Sequence, residues 1–149
     1  MKEAVIIDYG SGNISSVYNA VKKVSLDKSC KVKVTSLARD LKKASHIILP
    51  GVGSFESCVT GLEKSGIKEQ LIESVIEKKT PFLGICVGMQ MLATKGYENG
   101  EFFGLNWVKG EVRKINTHKQ KLKIPHMGWN SLKFLKYNSF VKKLINKIN

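Results

Sequence analysis

The run Gly84-Ile85-Cys86-Val87-Gly88-Met89-Gln90 constrains this chain more than any other feature. It follows the apolar Pro81-Phe82-Leu83 and leads at once into an amphipathic stretch, so it reads as a strand, a sharp turn and a helix. A thiol stands at the apex. This is the cysteine counterpart of the Gly-x-Ser-x-Gly nucleophile elbow, in which a strained turn presents the nucleophile at the top of a sheet. So tight a turn needs residues without bulky side chains on both flanks, and glycine fills both. A thiol placed at a helix start faces unpaired N–H groups and the positive end of the dipole, which favour thiolate. The plain structural alternative is a buried cysteine beside a Gly-rich strand end.

Around the elbow the pattern alternates. Ala4–Ile7 is a short apolar run with strand character, and Asp8–Asn13 is a turn cluster. Ile14, Val17, Tyr18, Val21 and Val24 then recur at helical spacing, with Asn13 placed to cap. Lys31–Thr35 alternates like a half-exposed strand, and Leu37, Leu41 and Ala44 mark a short helix. His46–Leu49 reads as a buried strand closed by Pro50-Gly51-Val52-Gly53. Cys58, Val59 and Leu62, then Leu71, Val75 and Ile76, suit helices. Strands alternating with helices across short connections predict an α/β fold with a doubly wound, parallel sheet. Beyond Lys95 glycines punctuate a loop-rich stretch. Glu111–Ile115 and Trp129–Phe134 alternate like antiparallel strands, and Phe140–Ile148 carries one apolar helical stripe. With 149 residues and no linker, one domain over residues 1–149 is expected.

Composition excludes several classes. No apolar run approaches the roughly 20 residues of a membrane helix, and the N-terminus is not a signal peptide. Cys30, Cys58 and Cys86 are odd in number and form no CxxC pair, so neither metal nor disulfide framework is expected and a reducing cytoplasm fits. The net charge of +13 sits mostly in residues 109–149, where Glu111 is the sole acid. Such asymmetry can mark nucleic-acid binding. Yet 23 of the 25 basic residues are lysine and aromatics are not interleaved with them, so no nucleic acid is expected.

Open α/β sheets bind ligands beyond the carboxyl ends of their strands. Three Gly-rich turns follow strands here, Asp8–Asn13, Pro50–Gly53 and Gly84–Gly88, and all should share one edge. Beside a Cys86 nucleophile, Pro50–Gly53 is a natural oxyanion hole, with the Val87 N–H as second donor. Alone, Pro50–Gly53 would be read as a strand-to-helix turn. Asp8–Asn13 lacks the endings of phosphate and dinucleotide loops, so no cofactor is expected there.

These residues carry a resemblance. Gly84–Gln90 resembles the nucleophile motif of class I glutamine amidotransferases. Asp8–Asn13, Leu49–Phe55 and Ile124-Pro125-His126-Met127-Gly128-Trp129-Asn130 narrow it to the glutaminase subunits of imidazole glycerol phosphate synthase. The resemblance implies a flavodoxin-like, mostly parallel sheet and hydrolysis of L-glutamine to glutamate and ammonia. The ammonia would pass to an α/β-barrel cyclase subunit in histidine biosynthesis. It implies Cys86 as nucleophile and the N–H groups of Val52 and Val87 as oxyanion hole. Gly51, Gly53, Gln90 and Glu98 would bind substrate, although a solvated surface carboxylate is the competing reading of Glu98. Tyr9, Gly10, Asn13, His126, Met127 and Trp129 would lie at or near the cyclase interface, with a structural turn and a packed loop as the alternatives.

Val87 stands where the family commonly has leucine, a mild departure because the N–H carries the role. The family's triad also needs a histidine and a glutamate from a His-Pro-Glu type segment, which is not found up to Asn149. His46 opens a strand, where packing is the expected role. His118 lies in a Lys-rich turn, and the histidine at position 126 of this chain is not the family's general base. A C-terminally shortened chain with very low glutamine turnover is the resulting expectation. Two alternatives stay open, a paralogue supplying ammonia for surface-sugar amidation and a non-catalytic docking subunit.

Overall fold

A computed structural model describes residues 2–26, 29–116, 123–125, 128–131, 133 and 135. The chain divides into two units, Met1–Lys114 and Ile115–Asn149. The elements described below belong to the first.

Strand β1 (Lys2–Ile7) leads to α1 (Ile14–Ser25), β2 (Cys30–Thr35), the short α2 (Ala38–Leu41) and β3 (His46–Gly51). Helices α3 (Phe55–Lys64) and α4 (Lys68–Ile72) follow, the latter continuing as a π-helical turn over Glu73–Glu77. Strand β4 (Phe82–Cys86) then runs into the one-turn α5 (Val87–Gln90). These four strands form a wholly parallel sheet in the order β2-β1-β3-β4. The order matches the first four strands of a flavodoxin-like sheet. The α/β, doubly wound reading therefore holds.

The alternation of side chains along each strand sorts the core. Val5, Ile7, Ile47 and Leu49 face Leu41 of α2, Cys58 and Leu62 of α3, Ile67 and Leu71, all buried. The opposite face carries Ala4, Ile48 and Leu83, which share a cavity of about 650 Å³ with Val21 and Val24 of α1. Helix α1 starts where the Asn13 side chain accepts from the Ser16 N–H at 3.2 Å, satisfying one orphan donor. Lys22 and Lys23 in its last turn meet the negative end of the dipole.

Past the elbow the fold departs from expectation. The helix after Cys86 ends at Gln90, and β5 (Ala93–Gly96) begins at once. A second sheet sets β5 between β6 (Phe102–Phe103), antiparallel, and β7 (Val108–Val112), parallel. The strand expected over Glu111–Ile115 is thus shifted to Val108–Val112 and pairs parallel, not antiparallel. The described residues among 129–134 form no strand. The reason is non-local. The carbonyls of Met91, Leu92 and Ala93 accept from the N–H groups of Leu105, Trp107, Val108 and Asn106. Those partners take the carbonyls out of helical bonding, and tertiary pairing overrides local periodicity. The apolar stripe at 140–148 lies outside the described residues.

A polar network ties α2 to β2. Lys33 Nζ is 2.7 Å from the Asp40 carboxylate, Thr35 Oγ1 donates to the same group, and the Leu37 N–H donates to Thr35 Oγ1 at 3.1 Å. Lys33 first, then Thr35, holds the Asp40 carboxyl below its ordinary value. A depressed folded-state pKa contributes stability that is present above the unfolded value and lost as pH falls through the folded one. Asp40→Asn should therefore lower stability at neutral pH and flatten its loss below about pH 4. Denaturant titrations of both proteins across that range check this, and parallel curves would refute it.

Candidate active site

The parallel register puts the three Gly-rich turns on one edge. Gly51 of β3 pairs with Cys86 of β4, and Ile6 of β1 pairs with Ile48 of β3, so residues 8–13, 50–53 and 84–88 leave the sheet side by side. Tyr9 reaches across this edge, its hydroxyl donating to the Pro50 carbonyl at 2.8 Å.

Cys86 is the apex. It ends β4 and precedes α5 with φ 54° and ψ −119°, a left-handed backbone that a non-glycine residue adopts only under constraint. Its side chain is exposed. The glycines around it are set by close approach of backbone to backbone. A Cβ on Gly88 would stand 2.0 Å from the Leu49 carbonyl oxygen, and one on Gly51 would stand 2.5 Å from the Gly88 nitrogen. At Gly84 a Cβ would come 2.7 Å from the Gly88 carbonyl oxygen. The strand ends and the elbow thus touch through atoms that every amino acid has, and only the absence of side chains lets them meet.

Two backbone N–H groups follow the paired residues Gly51 and Cys86 in the chain. Val87 is the first residue of α5, so its N–H has no intrahelical acceptor. Its side chain is buried, which fixes the residue. Val52 has an exposed side chain, and its N–H has no acceptor among the described residues. Helix α5 is a single turn, so its macrodipole is small and supports a thiolate at Cys86 less than the sequence suggested.

The remaining predicted residues fall as follows. Gly51 is buried, whereas Gly53 is exposed with φ 111°. Gln90, half-buried, ends the helical turn that starts beside Cys86. The Glu98 carboxylate accepts from the Phe55 N–H at 2.8 Å, capping α3 beside Ser54. Glu98 is itself exposed, so it is a surface carboxylate with a structural partner close to the Pro50–Gly53 loop. Gly10 and Asn13 are exposed, but Tyr9, expected at a partner surface, is 7% exposed and turned into the core. Trp129 is fully exposed, while His126 and Met127 lie outside the described residues. His118 lies outside them too.

His46 is exposed, with Nδ1 3.0 Å from Ser45 Oγ. It opens β3 at the edge opposite Cys86. Five residues separate it from Gly51, the strand neighbour of Cys86, or roughly 16 Å at the usual rise of a strand. It cannot serve this thiol as a base. Two groups that the sequence did not single out for this loop are Tyr9, by its hydroxyl, and Cys58, whose Sγ lies 3.6 Å from the Val52 carbonyl oxygen. No local signal marks the Tyr9 contact, which joins positions 41 residues apart. Among the described residues no cluster could hold a metal ion, and no helix is long and apolar enough to cross a membrane.

A strained cysteine elbow thus stands beside a Gly-rich loop on the carboxyl edge of a parallel sheet. The model of the class-I glutamine amidotransferase family matches residues 5–148. The chain belongs to that family and, within it, groups with the HisH subunits of imidazole glycerol phosphate synthase. It is 45% identical over 143 residues to the subunit HisH from Pelagibacter ubique, covering 95% of this chain and 68% of that one. It is 46% identical over 142 residues to HisH from Bradyrhizobium diazoefficiens, covering 93% and 66%. Against HisH from Caulobacter vibrioides the identity is 41% over 138 residues, covering 91% and 65%. The chain thus spans about two thirds of the length of these relatives.

Exposure ranks the three thiols, with Cys86 exposed, Cys30 intermediate and Cys58 buried. Iodoacetamide should alkylate Cys86 first and leave Cys58 untouched in the folded protein. Peptide mapping by mass spectrometry reads the order, and faster labelling of Cys30 would refute it.

Proposed function

We propose that this chain is a glutaminase component that releases ammonia from L-glutamine for a partner subunit. The observation that carries the reading is Cys86 at φ 54°, exposed and one strand over from the Gly51–Val52 loop. A glutamine side chain entering along this edge presents its amide carbon to the Cys86 sulfur. The thiolate adds to that carbon, a C–S bond forms, and the carbonyl π electrons move to oxygen. The N–H groups of Val52 and Val87 receive that oxyanion. Collapse re-forms the carbonyl and breaks the C–N bond, and the nitrogen takes a proton and leaves as ammonia. Water then cleaves the glutamyl thioester to glutamate and restores the thiol. Gln90, Gly51, Gly53 and Glu98 are assigned to hold the rest of the substrate on the strength of the family motifs.

Proton delivery to nitrogen and activation of water need an acid–base group. Among the described residues no histidine stands on the Cys86 edge, since His46 is at the other end of β3. We assign that group to a segment outside the described residues. The three free thiols fit a reducing cytoplasm.

The partner follows from the relatives, which are named as subunits of imidazole glycerol phosphate synthase. On that likeness we assign a barrel-shaped cyclase that takes up the ammonia in histidine biosynthesis. Gly10, Asn13 and Trp129 are exposed and available for such a contact. Tyr9 contributes only through its backbone, because its side chain is buried. His126 and Met127 are assigned there from their sequence motif alone.

Two tests follow. A diazoketone analogue of glutamine should label Cys86, and glutamine, but not asparagine, should protect it. This readout needs no acid–base residue, and labelling indifferent to glutamine would overturn the reading. For the partner, Trp129→Ala should weaken cyclase binding by about tenfold or more, as for an exposed aromatic anchor. Unchanged affinity by calorimetry would remove Trp129 from the interface.

A further inference from the structure

We propose that Tyr9 and Cys58 are positioning residues for the oxyanion loop, each holding a carbonyl on one side of the Val52 amide and so fixing where that N–H points. The proposal deepens the glutaminase reading and rests on it. The Tyr9 hydroxyl donates to the Pro50 carbonyl at 2.8 Å, in a buried position. The Cys58 thiol, fully buried on α3, donates to the Val52 carbonyl with sulfur and oxygen 3.6 Å apart. These two carbonyls belong to the Pro50–Gly51 and Val52–Gly53 peptides. The peptide between them, Gly51–Val52, carries the N–H assigned to the oxyanion.

Peptide units are planar, so a carbonyl pinned by a donor orients its whole unit. With the planes on both sides held, the middle plane can turn only by opposed rotations at Gly51 and Val52. Side-chain branching at Val52 narrows the dihedral angles open to it. The two anchors come from different elements, the turn after β1 and the second turn of α3. The Tyr9 hydroxyl is so close to the loop that a Cβ on Gly51 would stand 3.1 Å from it. Burial, and then the neighbouring Cys58 thiol, push the Tyr9 hydroxyl well above the ordinary tyrosine range. It therefore remains a protonated donor at any pH at which the fold survives. Packing alone would be met by phenylalanine at 9 and alanine at 58, so the polar atoms are what the loop uses.

The test uses the full chain and two probes of Cys86. The first is the γ-aldehyde analogue of glutamine. The Cys86 sulfur adds to its carbonyl carbon, the π electrons go to oxygen, and the thiol proton ends on that oxygen, giving a hemithioacetal whose oxygen occupies the hole. The second is iodoacetamide, in which sulfur displaces iodide from a saturated carbon and no oxyanion forms. Tyr9→Phe and Cys58→Ala should each weaken aldehyde capture by about tenfold, the cost of a misplaced donor. Alkylation of Cys86 should stay within about twofold, and Cys58→Ser, which keeps a donor, should regain most of the capture. Unchanged capture in both variants would overturn the proposal. So would a parallel fall in both probes, or new alkylation of Cys58 in Tyr9→Phe, since either marks general packing. If the unaltered chain alkylates at Cys86 but captures no aldehyde, the glutaminase reading itself fails, and the positioning role with it.

Discussion

The contact on which the site depends is between two stretches of backbone. Gly88 lies against the end of β3 so closely that a methyl group would stand 2.0 Å from the Leu49 carbonyl oxygen, and Gly51 answers it against the Gly88 nitrogen. No side chain takes part. This approach fixes the elbow relative to the Pro50–Gly53 loop, and with it the separation of the Val52 and Val87 N–H groups. Preorganised donors are effective because they need not move when charge develops. In the proposed glutaminase such preorganisation would come from backbone packing between β3 and α5, which the parallel pairing of Gly51 with Cys86 continues along the sheet.

That origin explains which substitutions matter. Val87 in place of the family's leucine leaves the N–H where it was, because the residue's position is set by Gly88 and by burial of its own side chain. Glu98 illustrates the opposite case. Its carboxylate holds the first turn of α3 through the Phe55 N–H, and α3 in turn carries Cys58 beneath the loop. A change at Glu98 would therefore reach the Pro50–Gly53 loop through the helix.

The sheet and the elbow were legible in the sequence because their signals are local. Apolar runs such as Ala4–Ile7 and His46–Leu49 specify strands buried on both faces, and Gly-x-Cys-x-Gly specifies a turn that only glycines permit. The second sheet was not legible. Strand β5, Ala-Thr-Lys-Gly, has neither an apolar run nor β-branched enrichment, and β6 is two residues long. Both exist because residues 104–108 return to pair with 91–94. Likewise Tyr9 read as part of an exposed turn, and only the arrival of Pro50 and Met91 at its hydroxyl shows it as core. Pro50 itself read as a strand terminator. It continues β3 to Gly51, and its carbonyl is taken by the Tyr9 hydroxyl rather than left unpaired.

A left-handed cysteine costs on the order of 1–3 kcal/mol, and something must hold it there. Immediately after it come Val87 and, one turn on, Met91, at 6% and 1% exposure. Full burial of such side chains is worth about 1.5–3 kcal/mol each, enough to offset the strain. The elbow is thus kept bent by the residues that follow it in the chain. The Met91 carbonyl is also taken by the Leu105 N–H at 2.7 Å, which anchors the same turn to the second sheet. The early end of α5, unexpected from its sequence, is therefore part of how Cys86 is held. A longer helix would have kept that carbonyl for itself and left the strained residue tied to the core through side chains alone.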